Sequence, residues 1–259
     1  MTKLGTDLAL HLPLELGTDL AGGGGGGPPP VDPTMYGVQG FSTADFYQTA
    51  LPGGIAGTAA GFWVSCLLRL DALVVANRSF LGRFTTGAGW IFTVTSAHNL
   101  IFQLVDGGGV IRASANFPVT AVAGKIMHVA AVFDGAALRL HVNRSQVGAP
   151  TALSGFTVAN ERMLAGKRAT GSATTSGTMF GVCGGHAVPT LAEVEAQADA
   201  IKLAGDIVAI PGKTDSLWSV KQDQAGTAPA VLDDKVGLED MAAQGAPALV
   251  SDPAPVWGW

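Results

Sequence analysis

The side chains able to do chemistry are few and scattered. The five histidines are His11, His98, His128, His141 and His186. None has a second His or Cys at the short spacing that holds a transition metal. No Gly-x-Ser-x-Gly elbow presents a serine nucleophile. Pro211-Gly212-Lys213-Thr214 ends like a phosphate-binding loop, but Ile207 stands where the first glycine of that motif is needed. Cys66 and Cys183 each lie in an apolar segment, which fits buried free thiols, and a disulfide between them would need an oxidising compartment.

The elements that must position these residues are strands. Phe62, Val64, Cys66, Leu68 and Leu70 alternate with Trp63, Ser65, Leu67 and Arg69, and the segments 90–94 and 100–104 follow the same period of two. Met127 to Phe133 is apolar on both faces, as in a central strand, and Asp134-Gly135 then turns the chain. Leu138, Leu140 and Val142 face one way and Arg139, His141 and Asn143 the other. Many short strands at this spacing predict a sandwich or barrel. One main helix is predicted over about 190–204: Thr190 and Glu193 form a capping box, Leu191, Val194, Ala198 and Ile201 recur at helical spacing, and Gly205 suits the stop.

The first 33 residues differ from the rest. Leu4-Gly5-Thr6-Asp7-Leu8-Ala9 recurs as Leu16-Gly17-Thr18-Asp19-Leu20-Ala21. Leu8, Leu10, Leu12, Leu14 and Leu16 alternate with Ala9, His11, Pro13 and Glu15, so an extended arm would carry five leucines on one face. Six glycines, Gly22 to Gly27, and Pro28-Pro29-Pro30 read as a tether. The expected organisation is an arm and tether over 1–33 and an all-β body over 34–259. Trp257 and Trp259 close the sequence and are expected to dock on this chain or a neighbour.

Gly124-Lys125-Ile126-Met127-His128-Val129-Ala130-Ala131-Val132-Phe133-Asp134-Gly135, running into Leu138-Arg139-Leu140-His141-Val142-Asn143, resembles the central signature of laminin-G-like domains in the concanavalin A-like lectin superfamily. Gly61-Phe62-Trp63-Val64-Ser65 resembles the family's early aromatic strand. Phe180-Gly181-Val182, leading to Thr190-Leu191-Ala192-Glu193-Val194, resembles its late strand and helix. Met127 replaces the usual Trp before His-Val-Ala, and Arg144 the usual Gly after Val-Asn. The resemblance spans roughly residues 36 to 222. It implies a two-sheet antiparallel jelly-roll sandwich whose relatives bind glycans, bind proteins, cleave β-glucans or serve as structural appendages.

The hydrolase branch needs a Glu-x-Asp-x-x-Glu strand, with nucleophile and acid about 5 Å apart. Glu15, Glu161, Glu193, Glu195 and Glu239 stand in no such motif, so no enzymatic activity is expected. Arg139, His141 and Asn143 would touch a ligand if their face is open. Lectin-like sandwiches often bind calcium through loop oxygens, for which Asp106, Asp134 and Asn143 are candidates by residue type alone, although no loop has calcium-binding spacing. No other cofactor is expected.

Composition narrows the partners. A net charge of -5 in 259 residues, with no basic stripe, disfavours nucleic acid. No apolar run is long enough to span a bilayer, and the first residues, Met1 to Asp7, show no continuous apolar h-region, so no secretory signal is expected. The arm, whose phrases resemble terminal segments of phage structural proteins, favours an appendage of a virion or phage-like particle, made in the cytoplasm without a Sec signal. Its expected partners are other structural proteins or copies of itself. An arm folded back on its own body is the alternative. A glycan-binding module is the other functional reading, with Trp63, Trp90 and Phe117 as aromatic candidates for stacking on a sugar.

Overall fold

The computed structural model describes residues 34–259, apart from 43, 51–53, 56, 59, 71–76, 86–87, 106–109, 121, 154–155, 157–162, 167–176 and 224–225. The leucine arm and its tether lie outside the described residues. In chain order the strands begin with β1 (Met35–Gln39), β2 (Phe46–Thr49), β3 (Phe62–Leu70), β4 (Arg78–Thr85), β5 (Ala88–Val94) and β6 (Asn99–Val105). Then come β7 (Ile111–Pro118), β8 (Ile126–Phe133), β9 (Ala137–Val142), β10 (Ser145–Ala152), β11 (Leu164–Ala165) and β12 (Gly177–Gly185). Helix α1 (Leu191–Ala204) follows, then β13 (Ser216–Ser219), the single turn α2 (Val220–Asp223), β14 (Val231–Leu232), β15 (Met241–Gln244) and β16 (Ala248–Asp252).

These strands form a jelly-roll sandwich of two antiparallel sheets. The first runs β10-β9-β8-β3-β12-β1-β16, and the second β14-β15-β2-β11-β4-β5-β6-β7. β13 also joins the first sheet along β12, pairing with Gly181 to Gly184, whereas β1 meets β12 at Met179. A register shift against β3 between Met179 and Gly181 marks the change of neighbour.

The alternation read from the sequence sorts side chains between two cores. Phe62, Val64, Cys66 and Leu68 of β3 face Trp90 and Phe92 of β5 and Phe102 of β6 across the sandwich. Phe62 lies between Trp90, Phe102, Phe133 and Phe156 at centroid distances of 6.1–6.5 Å, and Phe92 meets Phe102 edge-on at 4.6 Å. Burying each such ring contributes about 2–3 kcal/mol. Trp90 is fully buried, so its indole N–H must find a partner, and it donates to Ile55 O at 3.0 Å. The other faces of β3, β8 and β12 form a second core beneath α1, with Trp63, Leu67, Ala130, Phe180 and Cys183 against Val194 and Ile201.

α1 starts and stops where its caps dictate. Thr190 Oγ1 accepts from Glu193 N at 3.3 Å, and Glu193 Oε2 accepts from Thr190 N at 2.6 Å. Gly205 closes the helix at φ 61°, a left-handed geometry in which its N–H reaches Ile201 O. The buried stripe is Val194, Gln197, Ala198 and Ile201. Leu191, expected on that stripe, is 48% exposed, and Gln197 is the residue turned inward. Among the described residues no helix is long and apolar enough to cross a membrane.

Candidate functional site

The antiparallel registers bring the start of β3, the ends of β8 and β12 and the starts of β9 and β13 to one end of the first sheet. The loops at that end are 134–136, 186–190 and 213–215. Gly61 is pressed between Val188 and the Phe133 carbonyl, and Gly185 against Lys213 and Asp215. Those approaches leave no room for a Cβ and bind the loops into one surface.

Two polar pairs stand on it. In the first, Asp215 Oδ2 accepts from His186 N at 2.7 Å and lies 2.8 Å from His186 Nδ1, with both side chains about half exposed. Asp215 is fixed from behind, because its own N–H donates to Gly184 O at 2.8 Å. Trp63 Nε1 donates to Lys213 O at 3.0 Å and ties the same loop to the second core. The second pair is Asp134 with Arg139. Asp134 Oδ1 accepts from Ala136 N and Ala137 N at 3.0 and 2.7 Å, which shapes the β8–β9 hairpin, while Oδ2 takes the guanidinium. Partial burial opposes the charged form of Asp134, but the Arg139 hydrogen bond and the two backbone N–H groups outweigh it and hold the carboxyl below its usual range. Two clefts flank this end. One of about 360 Å³ is lined by Gly135, Ala136, Ala152 and Leu153. The other, about 440 Å³, runs between α1 and Val208 to Pro211, with Glu193 and Gln197 as its polar members.

The residues expected to form one ligand face separate here. Arg139 stands at the loop end, but His141 is 2% exposed and Asn143 7% exposed. The open face expected at these two positions is therefore corrected: they point into the layer beneath α1 and the C-terminal segment. Asn143 Oδ1 accepts from His128 N and its Nδ2 donates to Gly258 O, so its amide serves the backbone. Trp63 and Trp90 are fully buried, and Phe117 packs half-buried on the main core. The two tryptophans are therefore closed to a sugar, and Phe117 keeps part of its ring at the surface.

Trp257 and Trp259 dock on their own chain, at the opposite end of β8. Ile126 N donates to Val256 O and Gly258 N to Ile126 O, both at 2.8 Å, which makes a parallel bridge. The two indoles meet edge-on at 4.9 Å, and Lys202 Nζ sits 5.6 Å from the Trp259 ring while bonding Trp259 O at 2.7 Å.

Two of the three calcium candidates, Asp134 and Asn143, lie among the described residues. Asp106 lies outside the described residues. Asp134 and Asn143 flank opposite ends of β9, which is about 20 Å long as six extended residues. Both have their side-chain oxygens engaged as above, and no group of three His, Cys, Asp or Glu able to hold a metal occurs among the described residues. The two thiols are free and buried. They sit on opposite faces of neighbouring strands, with Cys66 in the main core and Cys183 in the second. Burial pushes Cys183 up to about 12, which leaves it protonated and unreactive at neutral pH.

The pairing of His186 with Asp215 has no local sequence signal. The two are 29 residues apart and meet only because β12 and β13 are neighbours.

A two-sheet jelly roll with polar pairs on its terminal loops has the architecture of a lectin-type sandwich. The chain belongs to the concanavalin A-like lectin/glucanases superfamily, whose family model matches residues 45–182. Its fold is similar to a Bacteroides ovatus protein provisionally described as carbohydrate binding, at 15% identity and TM-score 0.61, over 86% of this chain and 61% of that one. It is also similar to a native heptameric SAP-like pentraxin from Limulus polyphemus, at 14% identity and TM-score 0.50, over 73% of this chain and 92% of that one. The binding domain of botulinum neurotoxin serotype D aligns at 8% identity and TM-score 0.46, over 64% of this chain and 46% of that one. The chain thus spans under two thirds of the Bacteroides protein's length. No curated protein matches the chain in sequence.

Proposed function

We propose that this protein is a non-enzymatic glycan-binding module that contacts its ligand through the loop end bearing Asp134, Arg139, His186 and Asp215. The observation that carries the reading is its membership of the lectin/glucanases superfamily, taken together with the likeness across 86% of the chain to a protein provisionally described as carbohydrate binding. The loop end fits the role chemically. Sugar hydroxyls take and give hydrogen bonds together, and a His–Asp and an Arg–Asp pair held by backbone contacts present donors and acceptors at low ordering cost. Loops on a rigid sandwich are where such contacts are placed.

Two of the three described glutamates are otherwise occupied. Glu193 caps α1, and Glu239 accepts from Gly54 N. Neither is available as half of an acid–nucleophile pair. An appendage role in a larger particle is compatible with such a module, but it rests on the arm's leucine face and repeated phrases, which lie outside the described residues, so glycan recognition is the primary reading. The test is a glycan array probed with the full chain, followed by β-glucan incubation. The reading expects retention of at least one glycan class and no release of reducing ends. Hydrolysis abolished by Glu239→Gln would replace it with a glucanase.

A further inference from the structure

The layer between the first sheet and α1 contains a polar seam that ligand binding does not use. His128 on β8 and His141 on β9 point into it from adjacent strands, in a register that sets Ala130 opposite His141. They are 0% and 2% exposed. Neither ring nitrogen of His128, nor Nδ1 of His141, makes a direct hydrogen bond, and although the Asn143 backbone and the Gln197 side chain favour a proton on His128, burial outweighs them. The polar group beside the His128 ring is the Gln197 side chain, whose Oε1 accepts nothing else. Gln197 Nε2 meanwhile bonds Val208 O at 2.6 Å and Cys183 Sγ at 3.1 Å, so the one inward polar side chain of α1 is pinned to this seam.

No acid answers the two imidazoles. His141 acts on His128, Arg139 acts on His141, and both influences are of like sign. The other titratable and charged groups on the surrounding elements are engaged, protonated or partly exposed. Asp206 accepts from Ser219, Gln222 and Ile207, and Cys183 holds its proton. Glu193 belongs to the helix cap, and Asp199 pairs with Arg144. Arg69 pairs with Asp252, Lys202 bonds the tail, and Glu195 is half-buried on α1.

We propose that His128 and His141 form an acid-sensitive latch: neutral, they let α1 and the C-terminal segment close over the first sheet, and protonated together they release that layer while the main sandwich core stays folded. Two cations this close, in a space with no counter-ion, cost more than the apolar contacts of one amphipathic helix return. The core between the sheets is built from Phe62, Trp90, Phe102 and their neighbours and contains no histidine, so the same protonation does not act on it.

The sign of the pH dependence follows from the burial. Burial, as the main cause, depresses both histidines to about 4 from 6.5, so the released state takes protons first. The closed state keeps its full advantage above about pH 6.5 and loses it as pH falls towards 4, by roughly 80-fold per histidine at pH 4.5.

The test is hydrogen exchange with mass spectrometry on the full chain at pH 7.0 and 4.5, corrected for intrinsic rates. Peptides covering 191–204 and 253–259 should lose protection by roughly 6,000-fold at pH 4.5, about 80-fold from each histidine. Peptides covering 88–105 should keep theirs, and the double variant H128N/H141N should keep α1 protected at both pH values. Unchanged protection of α1 in the unmodified chain at pH 4.5 would overturn the latch. So would simultaneous loss of protection in α1 and 88–105, which would mean acid unfolding of the whole sandwich. If the double variant does not fold, NMR titration of the unmodified histidines decides: ring signals that titrate above pH 6 while α1 stays in place overturn the proposal, and signals that shift only as α1 exchanges support it.

Discussion

Replacing Trp257 by Ala tests whether the C-terminal segment is part of the folded body. The indole packs against the second core and meets Trp259 edge-on at 4.9 Å, while the backbone bridge to Ile126 does not depend on the side chain. A tryptophan buried to this degree removes about 150 Å² from water, worth roughly 3–4 kcal/mol at ~25 cal/mol per Å², with about 1 kcal/mol more from the ring pair. Relaxation of the neighbours returns part of this, so a net loss of about 3 kcal/mol is expected, which lowers the melting temperature by roughly 6–12 °C for a body of this size. Trp259→Ala should cost less, about 1–2 kcal/mol, because Lys202 still bonds the backbone carbonyl. The double variant should fall short of the sum by the ring-pair coupling, about 1 kcal/mol. Urea unfolding followed by far-UV circular dichroism measures all three without relying on the tryptophan signal. A loss below about 1 kcal/mol for Trp257→Ala would refute the docked segment.

Other substitutions probe the local rules. Thr190→Ala removes the acceptor for Glu193 N and one side of a reciprocal cap, and should cost about 1 kcal/mol in the same assay. Gly181→Ala places a Cβ 2.5 Å from Ile207 Cγ2 and 2.9 Å from Trp218 O, where neither the packed loop nor the β13 backbone can yield easily. It should cost at least about 2 kcal/mol, visible as a lowered urea midpoint with an unchanged slope.

Much of the sandwich was legible because alternation is a local signal. β3, β5, β6 and β9 each announce two faces, the unbroken apolar run of β8 marks a central strand, and the Thr190–Glu193 box with Gly205 marks both ends of α1. Alternation does not say what covers each face. Arg139, His141 and Asn143 share one side of β9, yet α1 and the C-terminal segment, fifty or more residues later, bury two of them and leave the third at the rim. The seam of His128, Gln197 and Cys183 was hidden for the same reason, since its members come from a strand, a helix and another strand. Leu191 shows the limit in the helix itself. Its spacing fits the apolar stripe, but at the first turn it overhangs the sheet and stays exposed.

The central claim is that the loop end binds glycan. Isothermal titration of the full chain with the strongest array ligand tests it, comparing the unmodified protein with R139A/H186A at pH 7. Glycan binding through these pairs predicts a dissociation constant raised at least about tenfold, the loss of one or two hydrogen bonds to charged groups, with the melting temperature little changed. Equal affinity in the double variant, or no heat with any glycan on the array, would contradict it.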